Sequence, residues 1–90
     1  MRTGQMVATR GIADKIKSNE RFALEVQLSI RFYLNGNWGT VSENSKEKND
    51  LHRKIGTGDL LGEYKTCEGR IWIMTEHDRS ATTILFPDEY

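Results

Sequence analysis

The chain has 90 residues, of which 37% are hydrophobic and 29% charged, and its 13 basic and 13 acidic side chains give a formal net charge of zero. This length allows one hydrophobic core and excludes a second domain. No apolar run approaches the roughly 20 residues of a membrane span, and the N-terminus lacks the apolar stretch of a secretory signal, so we expect a cytoplasmic protein with no membrane partner.

The first seventeen residues contain one weak and one clear pattern. Residues 1–8 show no periodicity, and we expect either a flexible leader or a short edge strand at Met6–Ala8. Thr9 is suited to cap a helix, and apolar residues follow it at helical spacing. A short helix is therefore predicted from Arg10 to Lys17.

The strongest helical pattern runs from Glu20 to Leu34, with Asn19 as its predicted N-cap. Its apolar residues form two stripes: Phe22, Val26, Ile30 and Tyr33 in one, and Leu24, Leu28 and Phe32 in the other. A helix with two apolar faces is usually buried on two sides. We therefore expect a central helix, with a sheet on one side and the other helices on the other.

A third helix is predicted between Ser42 and Gly56. Its only large apolar residues are Val41, Leu51 and Ile55. This composition predicts an outer helix that contacts the core mainly at its ends, with a solvated polar face.

After Gly56 the apolar spacing changes from helical to alternating, which is typical of strands. Three strands are predicted, at Leu60–Thr66, Arg70–Glu76 and Thr82–Phe86. Because the connections are short, they should form an antiparallel meander. The predicted fold class is α+β, with two or three N-terminal helices packed on a C-terminal three-stranded antiparallel sheet.

The most reactive-looking segment connects the last two predicted strands. It contains Glu76, His77, Asp78, Arg79 and Ser80. A catalytic triad needs groups that converge from different segments, whereas neighbours on an extended chain point in opposite directions. We interpret the segment as a polar turn, capped by Asp78 and with Arg79 paired to a nearby carboxylate.

The cysteine, the histidines and the glycine-rich segment do not predict a metal site, a cofactor site or a catalytic site. The single cysteine, Cys67, and the two histidines, His52 and His77, are too few for a four-ligand zinc site of the usual spacing. The glycines around Thr57 lack the Lys-Ser/Thr ending of a phosphate loop. Cys67 is expected to be an exposed incidental thiol.

Charge and aromatic residues favour a binding function. Residues 1–55 carry ten basic and six acidic side chains, whereas residues 56–90 carry three basic and seven acidic ones. Trp72 and Met74 alternate with Ile71 and Ile73, so one pair faces the helices. If only one face of the sheet is covered, Trp72 and Met74 lie on the open face as a contact surface.

A resemblance to a known group of proteins covers most of the chain, from about Thr9 to Tyr90. It rests on three segments, ATRGIADKIKSNERF, NGNWG and GRIWIMTEHDRSATTILFPDEY. They resemble the small plasmid-related proteins of Gram-positive anaerobic bacteria, which occur on plasmids, conjugative elements and prophages. No catalytic residues are established for that group. The resemblance implies the context of a mobile genetic element, whose small proteins, including anti-CRISPR inhibitors, often act by binding a host protein.

The first hypothesis is a non-catalytic inhibitor of a host defence complex, such as a CRISPR effector, acting by protein–protein contact. An acidic surface can occupy the basic channel in which such effectors hold nucleic acid. The predicted protein-binding residues are Trp72, Met74, Glu76, Asp78, Arg79, Glu63, Glu68, Asp88 and Glu89.

The alternative is a nucleic-acid-binding accessory or regulatory protein that uses the basic helical half. Its predicted contact residues are Arg10, Lys15, Lys17, Arg21, Lys46, Lys48, Arg53 and Lys54. A homodimer could form in either case, through the Trp-bearing sheet or a free edge strand.

Overall fold

A computed structural model describes residues 2–90 as three helices and a four-stranded mixed sheet. The elements are β1 (Gln5–Ala8), α1 (Arg10–Ser18), α2 (Glu20–Leu34), α3 (Glu43–Ile55), β2 (Leu60–Thr66), β3 (Gly69–Thr75), β4 (Ala81–Leu85) and a 3-10 turn (Pro87–Glu89). The α+β class is confirmed, and each predicted boundary lies within a residue of the observed one. None of these helices is long and apolar enough to cross a membrane.

The helix boundaries follow from local capping chemistry. Thr9, Asn19 and Ser42 each accept a hydrogen bond from the backbone N–H three residues ahead, which satisfies a donor that the first turn leaves free. Gly56 ends α3 with a φ of 80°, a left-handed conformation that glycine adopts without steric cost.

The sheet has the strand order β1-β4-β3-β2. Strands β2, β3 and β4 form the predicted antiparallel meander. The prediction of a three-stranded, purely antiparallel sheet was wrong, because the edge strand expected as one alternative for residues 1–8 is present as β1 and pairs in parallel with β4. The N–H of Gln5 donates to the Ser80 carbonyl at 3.2 Å, and that of Thr9 to the Ile84 carbonyl at 3.0 Å. Met1 lies outside the described residues.

The core lies between one face of the sheet and helices α1 and α2. Its buried residues come from α1, α2, strands β2, β3 and β4, and the segment between α2 and α3. They are Ile12, Phe22, Val26, Tyr33, Trp38, Leu60, Tyr64, Ile71, Ile73 and Ile84. Trp38 is 3% exposed and packs edge-on against Tyr33. This segment therefore contributes to the core in addition to connecting two helices.

The expectation that α2 is buried on two sides was wrong. Its second stripe is open to solvent, with Leu24 61%, Leu28 50% and Phe32 47% exposed. The reason is the position of α3, which packs against β2 and leaves the outer side of α2 uncovered. Residues Leu51 and Ile55 of α3 are also more than half exposed.

Helix α3 is attached through its middle as well as through its C-terminal end, whereas contacts mainly at its ends were expected. The Asn49 side chain, 4% exposed, donates from Nδ2 to the Leu61 carbonyl at 2.7 Å and accepts from the Leu61 N–H at 3.2 Å. Two residues further along β2, the Glu63 N–H donates to the Trp38 carbonyl and the Glu63 carbonyl accepts from the Thr40 N–H. These contacts close the outer edge of β2.

A chain of buried hydroxyls crosses the core. Tyr33 Oη lies 2.6 Å from Thr75 Oγ1, which lies 2.8 Å from Thr82 Oγ1, and Thr82 donates to the Thr3 carbonyl at 2.7 Å. The carbonyl can only accept, so each hydroxyl must donate toward it in turn. Burial raises the pKa of Tyr33 to about 12. The chain connects α2 to the residues that lead into β1.

Candidate functional site

Residues 76–80 join β3 to β4, and the structure confirms that they form a tight polar turn. The Glu76 N–H donates to the Ala81 carbonyl and the Arg79 N–H to the Glu76 carbonyl, each at 2.9 Å. Asp78 caps the turn as predicted, accepting from the Ser80 N–H at 3.0 Å. Its hydrogen bonding with Ser80 lowers the pKa of Asp78.

The reactive-looking side chains of this turn point outward. Glu76, His77, Asp78 and Ser80 are all exposed. His77 Nδ1 lies 4.0 Å from Asp59 Oδ1, and both side chains are more than 70% exposed. Within residues 2–90, no group of three or more His, Cys, Asp or Glu side chains is placed to hold a metal ion.

Arg79 differs from the rest of the turn because its side chain is directed inward, and the residue is 7% exposed. Its guanidinium donates to the carbonyl oxygens of Gly58, Glu76 and His52, the last at 2.9 Å. The predicted carboxylate partner and outward orientation were therefore wrong. The His52 carbonyl belongs to the last turn of α3, where the helix dipole favours a positive charge. The Arg79 side chain therefore holds the turn against α3. The backbone of Arg79 is in the left-handed region, with a φ of 64°.

The carboxylate of Glu63, a predicted protein-binding residue, is engaged inside the molecule. It accepts hydrogen bonds from Trp72 Nε1 and Thr40 Oγ1, both at 2.8 Å, and lies 3.4 Å from Arg70. The Trp72 hydrogen bond in particular lowers the pKa of Glu63. This carboxylate organises the open face of the sheet.

Glu68 is also used internally. It accepts from Asn19 Nδ2 at 2.7 Å and pairs with Lys15 at 3.4 Å, and the Asn19 hydrogen bond lowers its pKa. Of the predicted acidic set, Glu76, Asp78, Asp88 and Glu89 are exposed, and of these four only the Glu89 carboxylate makes hydrogen bonds to distant residues.

Glu89 ties the C-terminal residues to the start of α1. Its Oε1 accepts from Thr9 Oγ1 at 2.6 Å and from the Phe86 N–H at 2.8 Å, and its Oε2 accepts from the Gly11 N–H at 3.1 Å. A carboxylate at this position satisfies free N–H groups and interacts favourably with the helix dipole. The Thr9 hydrogen bond is the main reason that the pKa of Glu89 is lowered.

Replacing Glu89 with glutamine should lower the Tm at pH 7, and the difference from the wild type should shrink on acidification. Because its folded-state pKa lies below the ordinary value of 4.5, Glu89 stabilises the fold above that pH and loses this contribution as the pH falls through the folded-state pKa. Thermal melts followed by circular dichroism between pH 7 and pH 3 would show it. Asp88→Asn, at the exposed neighbour, is the control. Wild-type and Glu89→Gln curves that stay parallel across this range would contradict the role.

The open face of the sheet carries Trp72 and Met74, while Ile73 is fully buried on the helix side. Trp72 is half-buried, because the Tyr90 ring packs against it with centroids 5.8 Å apart. Met74 is half-buried beside Leu61 in a groove below α3. The chain itself therefore covers part of the predicted aromatic surface.

The eight predicted nucleic-acid-binding residues are divided between two places. Four lie on α1 and the first turn of α2, and four on α3; α1 contacts β4, whereas α3 contacts β2 at the other side of the sheet. Several also have partners: Lys15 with Glu68, Arg21 with Glu25, Lys46 with Glu43, and Arg53 with the Leu34 carbonyl. The fold does not bring them together into one basic patch.

Cys67 is exposed, and its surroundings disfavour a reactive thiolate. Its backbone N–H donates to Glu25 Oε1 at 2.8 Å, and a hydrogen bond between the thiol and the same carboxylate raises the pKa of Cys67. A reactive cysteine needs the opposite, a positive environment that lowers its pKa.

Leu24, Leu28 and Phe32 form an exposed apolar row along α2, here named the α2 apolar surface. It borders a groove of about 450 Å³ between α2 and β2. Residues Leu28, Ser29 and Phe32 line the groove from α2, and Thr40, Tyr64 and Lys65 line it from the other side.

The sequence predicts this apolar stripe but predicts that it is buried. Two signals could have corrected that interpretation. Helix α3 contains only two large apolar residues, Leu51 and Ile55, which are too few to cover a second face of α2. Charged residues on either side of the stripe, Arg21, Glu25 and Arg31, also indicate a surface in contact with solvent.

Comparisons of the chain with protein-family models, with curated proteins and with solved structures found no match.

Proposed function

We propose that this protein is a non-catalytic binding protein and that the α2 apolar surface holds a protein partner. The observation that carries the proposal is the exposure of Leu24, Leu28 and Phe32, at 61%, 50% and 47%, in one row along a helix. Contiguous apolar surface of this kind on a small protein often marks an interaction site.

The groove beside this surface adds a shape that a partner could fill. Its volume of about 450 Å³ accommodates a large side chain and adjoining backbone. The polar groups at its border, among them the Thr40 hydroxyl and the Lys65 side chain, offer hydrogen bonds around an apolar centre.

The helix that carries the surface is anchored in the core, which lowers the entropic cost of binding. The opposite side of α2 is fixed there by Phe22, Val26 and Tyr33, each at most 3% exposed. The backbone from which Leu28 and Phe32 project is therefore in place before the partner arrives.

The partner we propose is a host protein, and the resemblance to plasmid-related proteins supports the context of a mobile genetic element. A host defence complex in the cytoplasm, such as a CRISPR effector, is the target that fits this context. The exposed carboxylates of Glu76, Asp78 and Asp88 would add long-range attraction to a basic protein surface.

Leu28→Asp should weaken binding of the partner by about 30-fold or more, because buried apolar anchors at interfaces contribute about 2 kcal/mol or more. The partner would be isolated with the tagged protein from a lysate of a Gram-positive anaerobe, identified by mass spectrometry and purified. Isothermal titration calorimetry with the purified partner would then compare the two forms.

Leu51→Asp provides a matched control, since Leu51 is 54% exposed but lies on α3, away from the α2 apolar surface. It should bind like the wild type. Equal affinity of the Leu28→Asp and Leu51→Asp variants would refute the assignment of the surface. A plasmid-interference assay in cells that carry a CRISPR system would test the proposed target class, because the wild type should relieve interference and Leu28→Asp should not.

A further inference from the structure

The two edges of the sheet are treated differently. The outer edge of β2 is closed at two successive positions, by the Asn49 side chain at Leu61 and by the backbone of Trp38 and Thr40 at Glu63. Such coverage is how proteins prevent unwanted pairing of an edge strand.

Among residues 2–90, no hydrogen bond covers the outer edge of β1 in this way. Gln5 and Thr9 donate their N–H groups to β4, so by the alternation of a parallel ladder Val7 also faces β4. The backbone N–H and C=O groups of Met6 and Ala8 therefore point away from the sheet. All four residues of β1 are exposed.

The side chains of β1 carry none of the usual features that block pairing. Its sequence, QMVA, contains no charged residue and no proline, and Met6 and Val7 are 38% and 37% exposed. An uncharged, exposed edge with free backbone groups is a template for another strand.

Charge decides which strand fits best. Arg2 and Arg10 flank β1 in the chain and both are exposed, the Arg10 side chain at 94% and 3.9 Å from the Asp14 carboxylate. If two copies paired antiparallel about Val7, the start of α1 of one copy, with Arg10, would approach the residues that precede β1 in the other, with Arg2. Like charges would meet at both ends of the pair, which disfavours a second copy.

We propose that β1 binds an extended segment of a different protein, one with uncharged residues opposite Gln5–Ala8 and carboxylates at its ends. The segment adds to the sheet as a fifth strand next to β1, with hydrogen bonds to Met6 and Ala8. This site is separate from the α2 apolar surface and does not depend on the function proposed for it.

The test uses the full chain and two synthetic peptides, acetyl-Glu-Thr-Val-Thr-Val-Glu-amide and acetyl-Lys-Thr-Val-Thr-Val-Lys-amide, each titrated to millimolar concentration. Backbone amide NMR should show shifts and slowed hydrogen exchange at Met6 and Ala8 with the first peptide. The second peptide should bind about tenfold or more weakly, because its charges repel the two arginines.

Met6→Pro removes one outward N–H and should abolish the shifts while leaving the rest of the spectrum in place. If that variant does not fold, raising the salt concentration tests the wild type instead, since added salt should weaken binding of the acidic peptide. Absence of shifts at Met6 and Ala8 with the acidic peptide would overturn the proposal. A wild-type dimer in analytical ultracentrifugation, with pairing at Met6 and Ala8, would overturn it in favour of a second copy.

Discussion

Replacing Asn49 with leucine should lower the free energy of unfolding by about 2–4 kcal/mol, because it leaves the N–H and C=O of Leu61 without partners at a partly buried site. For a domain of this size, that loss corresponds to a fall in Tm of about 10–25 °C. Leucine has the same number and branching of side-chain heavy atoms as asparagine and leaves no cavity, so the loss would reflect mainly the two hydrogen bonds.

Thermal and urea unfolding followed by circular dichroism would measure the effect. Asn44→Leu is the matched control, because Asn44 lies exposed in the first turn of the same helix, and its replacement should leave stability within about 0.5 kcal/mol. An Asn49→Leu protein as stable as the control would show that water or a shift of α3 satisfies Leu61 without the side chain.

The second large effect is expected at Thr82, in the middle of the buried hydroxyl chain. Thr82→Val should cost about 2–3 kcal/mol, because it takes the donor from the Thr3 carbonyl and the acceptor from the Thr75 hydroxyl. Valine has the same shape, so packing is retained. The effect should include faster hydrogen exchange in β1, since the Thr82 hydroxyl holds the residues that lead into that strand.

Thr83→Val is the matched control, because Thr83 is the next residue of β4 and faces the open side of the sheet. Valine favours strands, so this control should be neutral or slightly stabilising. Tyr33→Phe, at the other end of the chain, should cost about 1 kcal/mol. If the costs of Thr82→Val and Tyr33→Phe add without a coupling term, the hydroxyls do not act as one chain.

Part of the candidate site could be predicted from the sequence. The turn at residues 76–80 and its Asp78 cap followed from a polar run between two strands. Alternation predicted that Trp72 and Ile73 lie on opposite faces of the sheet, but not which of the two faces the core. The inward orientation of Arg79 could not be predicted, because its three carbonyl partners include His52 and Gly58, which are more than 20 residues away.

The sequence by itself determined the elements and their ends. Thr9, Asn19 and Ser42 start helices by contacts with residues three positions away, and alternation sets the faces of β2 and β3, so these features depend only on near neighbours.

Only the tertiary structure determines which of those elements pack against one another and which surfaces stay exposed. A strand of four exposed residues acquires its place only from the edge of β4, some 75 residues later. The second stripe of α2 is apolar whether or not anything covers it, and it is exposed because Asn49 draws α3 to the edge of β2. The apolar pattern of the sequence predicts which surfaces gain free energy from burial. Only long-range packing determines whether this chain or a partner buries them.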